Sequence, residues 1–322
     1  MEVLPRPVVG VVGETASGKT SFSVALAHVL GGPDAAEIVS ADAMQLYTGM
    51  DIGTAKATET ERRGITHHQI DVLDVREEAS VAAYQRQARA DIRSIVSRGK
   101  FPLIVGGSGL YISAALDELD FPGTDPRLRA ELEARAQTDG LDTLVAELAD
   151  KDPVSAATID TRNPRRVIRA LEVVLLTGRS YTPVFPAHTS HFEPTLIIGV
   201  RREREALHAA IEERARKMFA SGLLDETERL LAMGLDEGTT AKKATGYAEA
   251  IAVLRGEMSL EEAIESVAQG TRRLAKKQRT WFKRDPRIEW IDLTAAGEPG
   301  GAAVIDQLAR ETANRVRSLG GL

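Results

Sequence analysis

Residues 8–20 read Val8-Val9-Gly10-Val11-Val12-Gly13-Glu14-Thr15-Ala16-Ser17-Gly18-Lys19-Thr20. The apolar, β-branched run Val8–Val12 has the composition of a buried strand. Gly13 to Thr20 satisfies G-x-x-x-x-G-K-[ST] in full. Residues 20–30 then follow with Phe22, Ala25, Leu26 and Val29 on one helical face, stopped by Gly31-Gly32-Pro33. Strand, glycine loop and helix in that order form the context that confirms such a motif. Backbone N–H groups and the helix N-terminus suit a phosphate, Lys19 adds a point charge, and Thr20 offers a hydroxyl to Mg²⁺. An ordinary glycine turn before a helix is the bland alternative, and the flanking pattern disfavours it. A ligand bearing a pyrophosphate group is expected on this loop.

Outward from the loop, strands alternate with helices. Glu37-Ile38-Val39-Ser40 reads as a strand running into Ala41-Asp42-Ala43-Met44-Gln45, residues 81–98 as a helix, and Phe101–Val105 as a buried strand ending in Gly106-Gly107-Ser108-Gly109. This order predicts an α/β fold with a doubly wound parallel sheet of the P-loop type. Ligands of such sheets sit beyond the carboxyl ends of the strands, where all three of these loops fall. From Pro126 to about Gly178 only helical segments are legible, and Ser180–Pro194 reads as a loop. Strand character returns at Thr195–Val200, before a helix with Leu207, Ile211, Ala215 and Met218 at helical spacing, and Ile288–Ile291 is the last strand. The reading is therefore an α/β core over 1–116 and 195–322, interrupted by a helical insertion at 117–194. No internal repeat is visible.

The composition of the 322 residues is that of a globular protein, 43% apolar and 27% charged. Absence of cysteine removes thiolate catalysis and cysteine-ligated zinc, and fits a cytoplasmic protein. No stretch approaches the roughly 20 apolar residues of a membrane span, and no basic start with an apolar run marks a signal peptide. The net charge of −6 would not suggest a nucleic acid, but the distribution does. Arg272 to Arg287 holds eight cations against Asp285 alone, and Arg162 to Arg179 five arginines against Glu172 alone.

Three sites carry the chemical argument. Phosphoryl-transfer enzymes with this loop usually place an acid at the end of a later strand, to hold Mg²⁺ or orient water. Here that strand ends in Gly-Gly-Ser-Gly, and the acid instead is Asp42, after the second strand. Asp42 suits a general base or a magnesium-side ligand, and equally a helix N-cap. The segment Thr271–Arg284, with Trp281 and Phe282 amid cations, fits RNA contact or a solvated helix face. His67 and His68 are adjacent, so they point to different sides and are poorly placed to chelate one metal together.

Taken together, the segments at 13–20 (GETASGKT), 40–56 (SADAMQLYTGMDIGTAK), 66–75 (THHQIDVLDV), 106–116 (GGSGLYISAAL), 125–133 (DPRLRAELE), 163–178 (NPRRVIRALEVVLLTG), 242–250 (KKATGYAEA) and 271–285 (TRRLAKKQRTWFKRD) resemble the tRNA dimethylallyltransferases, also called tRNA isopentenyltransferases. The resemblance spans nearly the whole chain. It implies transfer of a dimethylallyl group from dimethylallyl diphosphate to the exocyclic amine of the adenosine 3′-adjacent to the anticodon, tRNA position 37. It also implies Mg²⁺ as cofactor, the anticodon stem-loop as partner, no membrane, and a cytoplasmic monomer. Asp42 matches the general base, with Ser108 and Lys19 at the reacting centre. Gly13, Thr15, Ala16, Ser17, Gly18, Lys19, Thr20 and Arg214 match the diphosphate site, with Mg²⁺ at Thr20. The tRNA-contacting positions implied are Asp42, Ala43, Met44, Gln45, Ser108, Arg129, Asn163, Pro164, Arg165, Arg166, Val167, Lys243, Ala244, Thr245, Gly246, Tyr247 and Ala248; the basic segment adds Lys276 and Lys277.

Three residues depart from the family pattern. Glu14 replaces the usual Pro, and an acid beside a diphosphate is expected to turn its side chain away. Ala43 replaces a common Ser and removes a hydrogen bond. Lys243 replaces a frequent Arg, which weakens the case for a bidentate contact there. The rivals are a P-loop kinase of a small molecule, which leaves the basic segment unused; a prenyltransferase of free adenosine phosphates, which needs no anticodon clamp; and a non-catalytic RNA-binding module, which leaves Asp42 idle.

Overall fold

Val8, Val9, Val11 and Val12 are wholly shielded from solvent, because the strand that carries them is covered on both faces. The structure, a computed structural model, describes residues 1–119, 121–181, 188–297 and 300–321. In chain order the elements are β1 (Glu2–Gly13), α1 (Lys19–Leu30), β2 (Ala36–Ser40), α2 (Glu59–Arg62), β3 (His67–His68), α3 (Val81–Ser97), β4 (Phe101–Gly106) and α4 (Gly109–Leu116). The helices α5 (Pro126–Thr138), α6 (Leu141–Lys151), α7 (Pro153–Thr158) and α8 (Pro164–Thr177) follow. The chain then runs through β5 (Phe192–Arg201), α9 (Arg204–Ala220), α10 (Leu223–Ala232), α11 (Tyr247–Leu254), α12 (Leu260–Phe282), β6 (Ile288–Asp292) and α13 (Gly301–Leu319).

The strands form one sheet in the order β3-β2-β4-β1-β5-β6, every pairing parallel. The α/β reading is thus met. β1 lies at the centre of the sheet, so its carboxyl end delivers the glycine loop between β4 and β5. Phe22 and Leu26 of α1 and Ala309, Ala313 and Val316 of α13 close a core over Val9 and Val11. Amphipathic α3 buries Tyr84, Ala88, Ile92 and Ile95. Leu207, Ile211, Ala215 and Met218, read from their spacing as one helix face, are buried from α9 in a second apolar cluster with Leu230, Tyr247 and Val267.

Two compact units partition the chain: Met1–Glu118 with His188–Leu322, and Leu119–Ala187. The first holds the whole sheet. The second packs α5, α6 and α8 around Leu132, Leu144, Leu148, Val167 and Leu171. Three of its helices begin alike: Asp125, Asp152 and Asn163 each cap with a side-chain oxygen, and each precedes a proline at the first helical position. The boundaries differ from those read at 117–194. β5 starts at Phe192 rather than Thr195, because Glu2 and Val3 extend β1 far enough to pair with Phe192 and Glu193. The end of the expected loop is therefore strand, while residues 182–187 of it lie outside the described residues. β3 was not legible either: it is two residues long.

Candidate active site

Val12, Val39 and Ile104 sit on three adjacent strands, and the loops after those strands surround one cavity of about 480 Å³. Thr15, Ala16, Gly18, Lys19 and Thr20 line it from the glycine loop, Asp42 and Gln45 from the loop after β2, Gly106 and Gly107 from the end of β4, and Arg214 from α9. Residues expected at one site from distant stretches of sequence are therefore brought together.

The glycine loop is preorganised. Ser17 N–H donates to the Glu14 carbonyl at 3.2 Å, Lys19 Nζ donates to the same carbonyl at 2.6 Å, and Gly18 takes φ +100° at the N-cap of α1. No acid occupies the first turn of α1, so nothing on the helix neutralises its positive end. Gly13 and Ser17 are buried within the loop rather than facing the cavity. Desolvation pulls the Lys19 ammonium down to about 8, with Arg214 adding to the fall and the Asp42 and Glu14 carboxylates opposing it. Burial also lowers Arg214, whose Nη2 donates to the Thr54 carbonyl at 3.4 Å.

Glu14 does turn away from the cavity, and its surroundings explain the acid. Its side chain is buried, and Arg279 of α12 donates to both carboxylate oxygens, Nε at 2.5 Å and Nη2 at 3.0 Å. The neighbouring Gln278 accepts from the Thr15 amide at 2.8 Å. Two successive residues of α12 thus brace the loop. Gln278 lines the cavity and was missed; its signal was an uncharged polar residue three positions after buried Ala275, on the inward face of an otherwise basic helix.

Asp42 is not a helix cap. Its Oδ1 accepts from Met44 N–H at 3.0 Å within a turn, which leaves the other carboxylate oxygen for the cavity. The strand β4 ends in glycine for a steric reason: a β-carbon at Gly106 would come within 2.2 Å of the Ala41 carbonyl oxygen. Ser108 holds the Asp42 turn from the same side, its Oγ accepting from Ala43 N–H at 3.3 Å and its N–H donating to Ala41 O at 3.3 Å. Ser108 therefore positions the acid and does not line the cavity itself. Gln45 accepts from Ser40 Oγ at 2.9 Å and donates to Thr54 O at 3.2 Å, so the turn is tied at its other end too.

Among the positions expected to contact tRNA, several present no free side chain. Tyr247 is fully buried, and its hydroxyl donates to Glu226 at 2.6 Å; the Ile52 amide donates to the same carboxylate at 2.9 Å. Val167 belongs to the core of the helical unit, and Ala244 and Gly246 are buried. Asn163 spends its side chain on capping α8, accepting from Arg165 N–H at 3.1 Å. Arg129 donates to the buried Glu172 at 2.6 Å, as does Arg169 at 2.7 Å. The apolar faces of α8 and α11 required Val167 and Tyr247 for packing. Pro164, Arg165, Arg166, Lys243, Thr245, Ala248, Lys276 and Lys277 are exposed, while Ala43 and Met44 are half-buried on the Asp42 turn. His68 pairs with Glu37 at 2.7 Å and His67 Nδ1 lies 2.9 Å from the Ile65 carbonyl, which gives each ring a separate structural partner.

Mg²⁺ takes oxygen ligands and keeps several from phosphate and water. Thr20 and Asp42, two oxygen donors lining one cavity with the phosphate loop, fit that requirement.

A match to the family described as IPP transferase covers residues 45–285. The chain is 50% identical to the tRNA dimethylallyltransferase of Kineococcus radiotolerans over 91% of this chain and 93% of that protein. It is 51% identical to that of Paenarthrobacter aurescens over 89% and 91%. Among solved structures it resembles the full-length tRNA isopentenylpyrophosphate transferase of Bacillus halodurans, with a TM-score of 0.70, 37% identity and 98% of both chains covered. A eukaryotic dimethylallyltransferase acting on tRNA gives a TM-score of 0.83 at 26% identity, covering 97% of this chain and 80% of that one.

Proposed function

Because the chain belongs to the IPP transferase family, we propose that it transfers a dimethylallyl group from dimethylallyl diphosphate to the exocyclic amine of the adenosine 3′-adjacent to the anticodon, position 37. The observation that supports this reading best is one cavity lined by both a phosphate loop and the carboxylate of Asp42. The amine attacks the allylic carbon, the carbon–oxygen bond to diphosphate breaks, and the amine proton passes to Asp42. An aromatic amine is a weak nucleophile, so a positioned base is needed. Negative charge grows on the leaving oxygen, where the loop amides, Lys19 and Arg214 oppose it without reorganising. Thr20 would hold Mg²⁺, which supplies further charge stabilisation to the diphosphate when bound. A stacked adenine must flip out to reach the cavity, at a few kcal/mol. The exposed cations Lys276 and Lys277, Arg165 and Arg166, and Lys243 suit tRNA phosphates.

The test supplies radiolabelled dimethylallyl diphosphate and Mg²⁺ with either tRNA or AMP. Label on tRNA is expected. Label on AMP alone, or turnover of ATP alone, sinks the reading.

A further inference from the structure

Arg202 was not legible as a site residue, yet it follows the last residue of β5 directly. Gly13 pairs with Val200 in the register of β1 and β5, so the residue after β5 arrives beside the phosphate loop. Arg202 lines the same cavity as Lys19 and Arg214. Its Nη2 stands 3.5 Å from the point where a side chain at Gly18 would begin, at the N-cap of α1. Its Nε is shielded from water and has no hydrogen-bond partner among the described residues. It makes no ion pair among them either. Three acids share a neighbouring groove with Arg202: Glu14 holds Arg279, Asp292 lies 3.4 Å from Arg201, and Glu203 makes no ion pair with Arg202 among the described residues. A half-buried guanidinium left uncompensated beside a helix N-terminus is an incomplete anion site.

Its place in the strand order says which part of an anion it meets. Asp42 follows β2 and Arg202 follows β5, and these strands lie on opposite sides of β1, whose loop forms the phosphate site. Arg202 therefore stands on the side of the loop remote from the base and the reacting carbon.

We propose that Arg202 binds the phosphate of the donor distal to the reacting carbon, so that the site selects a diphosphate over a monophosphate. This rests on the prenyl-transfer reading above. A guanidinium is suited to the task because its fork matches two phosphate oxygens at once. Charge in the transition state develops on the oxygen leaving carbon, next to the proximal phosphate. A contact to the distal phosphate is then made almost equally in ground and transition states, and its loss appears in KM rather than kcat.

The experiment titrates wild type, R202A and R202K with inorganic pyrophosphate and with orthophosphate by calorimetry, and measures steady-state transfer to tRNA and tRNA affinity on the same proteins. R202A should weaken pyrophosphate binding and raise KM for dimethylallyl diphosphate by about ten- to a hundredfold. Orthophosphate affinity, tRNA affinity and kcat should stay within about threefold, and R202K should recover part of the loss as a point charge. Unchanged pyrophosphate affinity, a fall confined to kcat, or a parallel loss of tRNA affinity each overturns the assignment. Failure of the wild type to label tRNA would instead overturn the prenyl-transfer reading, and the pyrophosphate titration decides the role of Arg202 in either case.

Discussion

Replacing Asp42 with asparagine separates the chemistry of the acid from its structural work. The Oδ1 atom that accepts from Met44 N–H at 3.0 Å is kept in Asp42→Asn. The clamps on the turn from Ser108 and Gln45 do not involve Asp42. Stability should therefore change by no more than about 0.5 kcal/mol, as for substitutions away from core features. What is lost is the proton acceptor facing the cavity. General-base catalysis contributes about 10²- to 10⁴-fold, or ~3–5 kcal/mol of barrier, and the single-turnover rate of label transfer from dimethylallyl diphosphate to tRNA should fall by that factor. There is a second readout. Asp42 opposes the desolvation that draws Lys19 down. Without the carboxylate the Lys19 ammonium titrates at lower pH, and the pH midpoint for pyrophosphate binding should move in the acid direction. A single-turnover rate within about threefold of wild type refutes the base assignment. A lost rate accompanied by lost tRNA affinity would show that the turn had collapsed.

The wild-type protein makes the related prediction for Lys19. The ammonium is held down to about 8, so it is charged below that pH and neutral above it. Pyrophosphate affinity measured by calorimetry should fall as pH rises through 8, and a flat profile to about pH 9.5 contradicts it. Replacing the exposed pair Lys276 and Lys277 with alanine should weaken tRNA binding and reduce the slope of log affinity against log salt by about 1.5, with denaturation midpoints unchanged; an unaltered slope would leave this face of α12 without a role in binding. In the helical unit, buried Asp152 accepts from Ser180 Oγ and Tyr181 N–H, each at 2.7 Å, and from Ser155 N–H at 3.1 Å. Asp152→Ala should cost about 2–4 kcal/mol in denaturant unfolding. Burial raises the Asp152 carboxyl, but these hydroxyls and amides outweigh it and hold it at about 2, below the ordinary 3.8. Its stabilisation is complete above 3.8 and is lost as pH falls toward 2, so Asp152→Asn should flatten the acid limb of the stability curve.

The elements most legible in the sequence were those whose residues report local physics. Val8–Val12 declared a buried strand, Gly13–Thr20 a phosphate loop, and Leu207, Ile211, Ala215 and Met218 a helix face. Each met its expectation because side-chain period and turn chemistry are local. What stayed hidden depended on partners distant in sequence. β3 is held by its register with Ile38 and Val39 rather than by its own two residues. Gly106 looked like the absence of an acid, yet it records the approach of the Ala41 backbone from a loop more than sixty residues away. Tyr247 and Val167 stand in motifs that read as RNA contacts, but a motif does not say which of its members face inward. Burial shows that both support the surface residues beside them. Arg202 had no motif at all, and only the register of β1 with β5 brings it beside the phosphate loop.

Glu14 shows how such a long-range partner changes the meaning of a residue. By itself it was an acid in a phosphate loop, which opposes the charge of any diphosphate ligand. With Arg279 on its carboxylate it becomes a tether between the loop and α12, and its charge is neutralised within hydrogen-bond distance. The tether lies one residue from Gln278, which holds the Thr15 amide, and two and three from Lys277 and Lys276 on the exposed side. A single turn of helix thus braces the phosphate loop with one face and presents cations to solvent with the other. Under the proposed reaction, the small donor and the tRNA would be contacted by the same rigid segment. Placement of the amine against the allylic carbon then depends on how well α12 is held to the loop, which is the geometric requirement for bringing two substrates into a near-attack arrangement. A proline at position 14 would have no carboxylate to offer Arg279, so Glu14→Pro would leave the Gln278–Thr15 contact to hold α12 to the loop.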